Sequence, residues 1–261
     1  MTTRKKETAP ELAPATISEH DGVRYLHLGT PWVQGAMRLK KPAQIELEYV
    51  QRMMAWMLLR PTEEVARGHA VQLGLGAGAI TRFTHGVMKM KTTVVELNPT
   101  VIGVNRAFFR LPAQGLRLRV LEMDAQHWVD EVAEPGSVDV LCVDVYDHEA
   151  AGPVLDSEAF YRGCARVLAE GGVMSVNLFG RHASFARSAR RIAAAFSGGV
   201  VVAMQPTREG NTIVLALKRS SLPERDELAA RAQQIDTRFG LPARKWLRMI
   251  RPLPDSVLPP A

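Results

Sequence analysis

An α/β fold is predicted: a mostly parallel seven-stranded sheet with helices on both faces and a small N-terminal β-hairpin unit in front of it. Three observations predict it. From about residue 69, five β-rich runs alternate with helix-length segments: "HAVQLGLG", "TTVVEL", "LRLRVLEM", "VDVLCVDV" and "GGVMSVNLF". That alternation is the pattern of parallel strands joined by crossover helices. Two further runs, "GVVVAMQP" and "NTIVLALKR", lie close together around Gly210 and Asn211, as a terminal antiparallel pair does. Ahead of the sheet, "GVRYLHLG" and "WVQGAMRL" flank Thr30 and Pro31 as two short strands.

In chain order, residues 1–17 are polar, Pro-containing and aperiodic, and read as a disordered arm. Residues 18–60 carry the hairpin and then "AQIELEYVQRMMAWMLL", whose apolar spacing predicts a helix. Residues 61–219 form the sheet domain. Residues 220–261 supply a closing helix over about 222–239 and a tail. Met53, Met54 and Met57 of the first helix suit a core or a subunit contact, and that face is a candidate homodimer interface.

The 261 residues and 46% hydrophobic content allow a sizeable core. A net charge of +6 and a pI near 9.6 permit an anionic partner, but scattered Lys and Arg on solvated faces account for them equally. The best nucleic-acid candidate, "RFGLPARKWLRMIRP" with Trp246 interleaved, has no recognition motif, and nucleic acid is not expected as a partner. Arg187, Arg190 and Arg191 share a helical face that reads as solvated surface. Cys142 and Cys164 lack disulfide or metal spacing and read as core residues of a reducing compartment. No His or Cys pairs at metal spacing, so no metal is expected. No run approaches the roughly 18 apolar residues of a membrane span, and the first residues lack a signal peptide's apolar centre. A cytoplasmic protein is expected.

Ligands of such sheets bind beyond the carboxyl ends of the strands. The first strand opens into "GLGAGAI", where Gly74, Gly76 and Gly78 let the backbone approach a ligand closely. The second ends at Glu96 in "VVELNP", about twenty residues on, where an acid can accept hydrogen bonds from both ribose hydroxyls. The third ends at Asp124 in "MDAQHW", where a carboxylate can accept from an adenine amino group. The fourth ends in "DVYDHEAAGP", which sets Asp144 and Asp147 three positions apart on what reads as the rim of a pocket. Tyr146 between them is expected to line the substrate side, and His148 reads as a surface residue.

Residues 18–180 resemble the spermidine synthase family of polyamine aminopropyltransferases, which has a Rossmann-like, methyltransferase-type fold. "DGVRYLHLGTPWVQG" is similar to that family's opening hairpin, "VELNPTVI" to its V-E-I-D-x-x-V-I, and "SEAFYRGCARVLAEGGVMSVN" to its helix and strand beyond the active-site loop. The family's D-S-S/T-D-P loop appears as Asp144, Val145, Tyr146, Asp147 and His148. The resemblance implies that Asp144 accepts a proton from, or orients, an attacking amine, and that Asp147 lies near donor and amine. It implies a donor site of Gln34, Gly74, Gly76, Gly78, Glu96, Asp124 and Ala125, an acceptor site including Tyr49, decarboxylated S-adenosylmethionine or S-adenosylmethionine as donor, a small-molecule amine as acceptor, and a homodimer.

Two positions depart from the pattern. The family's glycine loop is G-G-G-D-G-G, and the Asp that holds the donor's amino group is Ala77 here. Its Y-H/Q-E is Tyr49, Val50, Gln51 here, so that acid is missing. Three readings stay open: aminopropyl transfer, methyl transfer from S-adenosylmethionine, and a non-catalytic nucleoside-binding relative.

Overall fold

The structure is a computed structural model that describes residues 12–146, 155–179, 182–219, 221–254 and 257. The chain opens with a three-stranded antiparallel sheet, β1 (Ala15–His20), β2 (Val23–Leu28) and β3 (Gly35–Arg38). Asp21 and Gly22 both have positive φ, 49° and 72°, the geometry of a two-residue hairpin turn that favours Asp-Gly. β1 takes in residues 15–17, which the sequence assigns to the arm. Its side chains are almost all exposed, so no apolar alternation marks it as a strand. Ahead of it, the Ala13 carbonyl accepts from Asn98 Nδ2 at 2.8 Å.

α1 (Glu48–Met53) tightens into a 3-10 stretch, Met54–Leu59. Met53, Met54 and Met57 are at most 1% exposed, packed under the main sheet with Trp56 and Trp246. The methionine face is therefore core, not a subunit contact: helical spacing marks an apolar face without saying whether a sheet or a second copy covers it. Trp246 is equally enclosed and offers no surface for a nucleic-acid base.

The main sheet contains β4 (His69–Leu73), β5 (Lys91–Glu96), β6 (Leu118–Glu122), β7 (Val138–Val143), β8 (Leu168–Phe179), β9 (Val200–Met204), β10 (Asn211–Leu217) and β11 (Ile250–Pro252). Their spatial order is β11-β9-β10-β8-β7-β4-β5-β6, with β6 through β8 parallel and β10 antiparallel to both neighbours. Eight strands stand where seven are predicted. The extra one, β11, pairs three residues of the tail with β9 at the edge of the sheet. It is too short to show periodicity, and Pro252 within it reads against a strand except at an edge.

Crossovers pass through α2 (Ala79–Thr81), α3 (Pro99–Phe108), α4 (Ala125–His127), α5 (Glu158–Val167) and α6 (His182–Ala195), and α7 (Arg225–Phe239) and α8 (Ala243–Trp246) close the fold. α3 starts where "NP" predicts: Asn98 caps it by accepting from Thr100 N at 2.9 Å, with Pro99 in the first turn. Arg191 of α6 bridges Asp156 at 2.8 Å, so one member of that arginine face is tied to the α5 segment.

The chain enters the main sheet at β4, builds outward through β5 and β6, and returns to the other side of β4 with β7. Such a reversal opens a crevice at the carboxyl ends of the two flanking strands. Leu73 and Val143 are in register there, and Asp144 N donates to Leu73 O at 2.9 Å.

Candidate active site

Four adjacent strand ends carry the residues singled out from sequence. Across β7, β4, β5 and β6 these are Asp144, Gly74, Glu96 and Asp124, each at or just past the carboxyl end of its strand. Gly74, Gly76 and Gly78 have φ of 84°, 51° and 68°. A Cβ on Gly74 would stand 2.2 Å from the Asp144 carbonyl oxygen, so this glycine lets the turn and the acidic segment touch. Gly74→Ala is expected to cost about 3 kcal/mol or more, because backbone on both sides must shift. Thermal melting should show a Tm lower by roughly 6–12 °C.

The loop is held from beneath by residues that sequence reasoning missed. Gln72 Nε2 donates to Gly74 O at 2.7 Å and is itself held by Thr81 Oγ1. Asn105 Nδ2 donates to Gly76 O at 2.7 Å, and Arg82 Nη1 to Ala77 O at 2.5 Å. Arg82 is buried, among the described residues it has no carboxylate partner and its Nη2 no partner at all, and burial lowers its pKa to about 10. The available signal is a polar residue inside an apolar run, as Gln72 is in "HAVQLGLG", because a buried polar group requires a partner.

Glu96 grips the same turn: Oε2 accepts from Leu75 N at 2.7 Å and Oε1 from Asn98 N at 2.8 Å. Burial pushes its carboxyl above the ordinary value, and these backbone donors pull it partly back. Asp124 Oδ1 caps α4 by accepting from His127 N at 2.9 Å, and its side chain is exposed beside the buried Ala125. Met123 N donates to Glu96 O at 3.0 Å, which keeps the two strand ends together.

Gln34 follows the β2–β3 connection, and its carbonyl oxygen lies 3.2 Å from where a Gly76 Cβ would stand. Its Nε2 is buried with no hydrogen-bond partner among the described residues. A buried amide donor calls for a partner, which makes Gln34 a candidate ligand contact. Ala77 is only 3% exposed and joins an apolar cluster with Leu26, Met37, Leu75 and Phe109. β3 backs directly onto it, since a Cβ on Gly35 would meet the Ala77 Cβ at 2.6 Å.

Asp144 is half-buried. Its Oδ1 accepts from Asn177 Nδ2 at 2.9 Å, and its Oδ2 from the Tyr49 hydroxyl at 3.3 Å. Burial raises its pKa, opposed by the Asn177 and Tyr49 hydrogen bonds. Burial and the facing carboxylate push the Tyr49 hydroxyl well above its usual range, so it stays a neutral donor. Gln51, where the family acid is missing, donates Nε2 to Ile45 O at 2.8 Å.

The Tyr146 hydroxyl donates to Asn177 O and accepts from Phe179 N, each at 2.7 Å, so the hydroxyl ties the segment to β8. Asp147 and His148 lie outside the described residues. Cys142 and Cys164 are buried free thiols, and burial pushes Cys142 up to about 12. Among the described residues no group of three or more His, Cys, Asp or Glu could hold a metal, and no helix is long and apolar enough to cross a membrane.

A mostly parallel sheet with a glycine turn and an acidic strand end facing each other across its reversal point defines an α/β fold of the methyltransferase type. Within that class the chain belongs to the spermine/spermidine synthase family. The spermine/spermidine synthase domain model matches residues 69–226. A polyamine aminopropyltransferase of Chromobacterium violaceum is 32% identical over 251 residues, which cover 95% of this chain and 94% of that one. Among solved structures, a probable spermidine synthase from Corynebacterium glutamicum superposes with a TM-score of 0.69 at 22% identity, covering 87% of this chain and 85% of its own. A spermidine synthase solved with the transition-state analogue AdoDATO gives 0.58 at 17% identity, covering 94% and 82%. At those identities the two structures speak for the fold.

Proposed function

We propose that the chain transfers an aminopropyl group from decarboxylated S-adenosylmethionine to a small amine of the putrescine type. The observation that carries this reading is Asp144, a half-buried carboxylate at the reversal point whose backbone meets the glycine turn. Glu96 would take the ribose hydroxyls, Gln34 Nε2 and the glycine turn the rest of the nucleoside, and Asp124 with Ala125 the adenine edge. Tyr49 and Asp147 would flank the acceptor.

The chemistry follows from an amine pKa of about 10, which leaves the acceptor protonated and non-nucleophilic at neutral pH. Asp144 attracts the cation, then takes its proton as the nitrogen lone pair attacks the methylene carbon bonded to the sulfonium. The new N–C bond forms as the C–S bond breaks, and methylthioadenosine departs as a neutral thioether. Most of the acceleration comes from alignment of nitrogen, carbon and sulfur, which supplies roughly 7–11 kcal/mol in favourable systems.

Methyl transfer from intact S-adenosylmethionine is the second reading, and Ala77 favours it. An Asp at that position would attract the donor's ammonium by about 4 kcal/mol at 4 Å and an effective dielectric near 20, and would repel a donor carboxylate. The apolar packing around Ala77 does neither. Incubation with each donor and putrescine, followed by mass spectrometry, tests the two. Methylthioadenosine and an amine lengthened by one aminopropyl unit are expected from the decarboxylated donor. S-Adenosylhomocysteine and a methylated acceptor from the intact donor, with no lengthened amine from either, would overturn the first reading.

A further inference from the structure

The two oxygens of Asp144 are held unequally. Oδ1 receives the 2.9 Å bond from Asn177 Nδ2, whereas Oδ2 has only the long 3.3 Å contact with Tyr49. An asparagine can present either end of its amide to a carboxylate, and only the NH₂ end is favourable. Asn211 decides which. Its Nδ2 donates to Asn177 Oδ1 at 3.1 Å, so the carbonyl end of Asn177 is occupied and the NH₂ end faces Asp144. Asn211 is held in turn: its backbone N–H donates to Thr207 Oγ1 at 3.2 Å and its carbonyl accepts from Thr207 N at 2.8 Å. It also pairs with Phe179, two residues beyond Asn177 on β8. Orientation is thus passed from the β9–β10 turn through two neutral amides to the carboxylate.

Taking Asp144 as the base, as the proposed function does, we propose that Asn177 and Asn211 are positioning residues that fix Oδ1 and so reserve Oδ2 for the incoming amine. A weakly held hydroxyl is the partner most easily displaced by an ammonium. Nothing else described competes: the titratable groups facing Asp144 are Tyr49 of α1, Tyr146 beside it and Cys142 of β7, all neutral at neutral pH. β8 and β10 contribute only the two amides.

The test is the pH profile of kcat/KM together with ¹³C titration of the Asp144 carboxyl, assigned by comparison with Asp144→Asn, in the wild type, Asn177→Leu, Asn211→Leu and Asn211→Asp. A donor to the ionised carboxylate favours that form, so its removal lets Asp144 protonate at higher pH. In Asn177→Leu the acid limb and the carboxyl titration should both move up by about one pH unit, with neutral-pH turnover partly recovered in base and donor KM unchanged. Asn211→Leu should move them less. Asn211→Asp should move them more than Asn211→Leu, because a carboxylate there attracts the Asn177 NH₂ and turns its carbonyl towards Asp144. Profiles that superimpose after scaling, with unchanged carboxyl titration, would overturn the proposal, and so would equal effects of the two Asn211 variants. The Asn211 variants decide the question if Asn177→Leu does not fold. Absence of turnover by the wild type with every donor and amine would sink the functional reading instead, and the carboxyl titration would still decide this one.

Discussion

Turnover should fall about 100- to 10,000-fold when Asp144 is replaced by Asn, the range expected for loss of a general base. The substitution is nearly isosteric, so the hydrogen bonds predict how the new side chain sits. Its carbonyl oxygen takes the place of Oδ1 opposite Asn177 Nδ2, and its NH₂ takes the place of Oδ2 opposite the Tyr49 hydroxyl. That hydroxyl then accepts where it had donated, and the amine meets a donor in place of a base. Among the described residues Glu96 and Asp124, which the proposed function assigns to the nucleoside, hydrogen-bond elsewhere, so calorimetry should find donor affinity within a few-fold of wild type. Equal turnover in the variant would remove Asp144 from the chemistry.

Glu96→Gln should weaken donor binding by about 100-fold, measured by the same titration, with a much smaller effect on kcat at saturating donor. The wild-type carboxylate accepts from two backbone amides on its two oxygens. Glutamine offers one acceptor oxygen and one NH₂, so either Leu75 N or Asn98 N meets a donor and the turn loses one anchor. The remaining carboxylate lone pairs, which the ribose hydroxyls would use, are lost with it. The same residue sets a pH dependence. Its folded-state pKa is raised by burial, so donor binding is complete above that value and declines as pH falls through it, at a higher pH than a surface glutamate would give. A donor affinity unchanged down to the ordinary glutamate range would count against the ribose role.

What was legible in the sequence was the sheet and the strand ends. An apolar run followed by an acid gave Glu96 and Asp144 directly, because parallel strands buried on both faces leave few places for charge except their ends. What was not legible lacked that contrast. β1 is polar and exposed, and β11 is three residues long, so neither carries a period. Asn177 and Gln72 sit inside apolar runs, where a single polar residue shows that a partner exists without showing which. Met53, Met54 and Met57 have the spacing of a buried face, but spacing alone leaves open whether a core or a second copy covers it, since the covering surface is formed by distant strands. Nor does the sequence show that the Tyr146 hydroxyl is taken by β8, since a tyrosine just past a strand end carries no sign of its partner.

That tyrosine has a bearing on how an acidic segment just past a strand stays accurate. Main-chain pairing of β7 with β8 reaches Val143 and Val176, and the phenol then serves as a further rung by joining a carbonyl and an amide of the longer strand. Asp144 therefore sits between two fastenings to the same neighbour, one made of backbone and one of side chain, and inherits the stiffness of the sheet at a point where the ribbon has already ended.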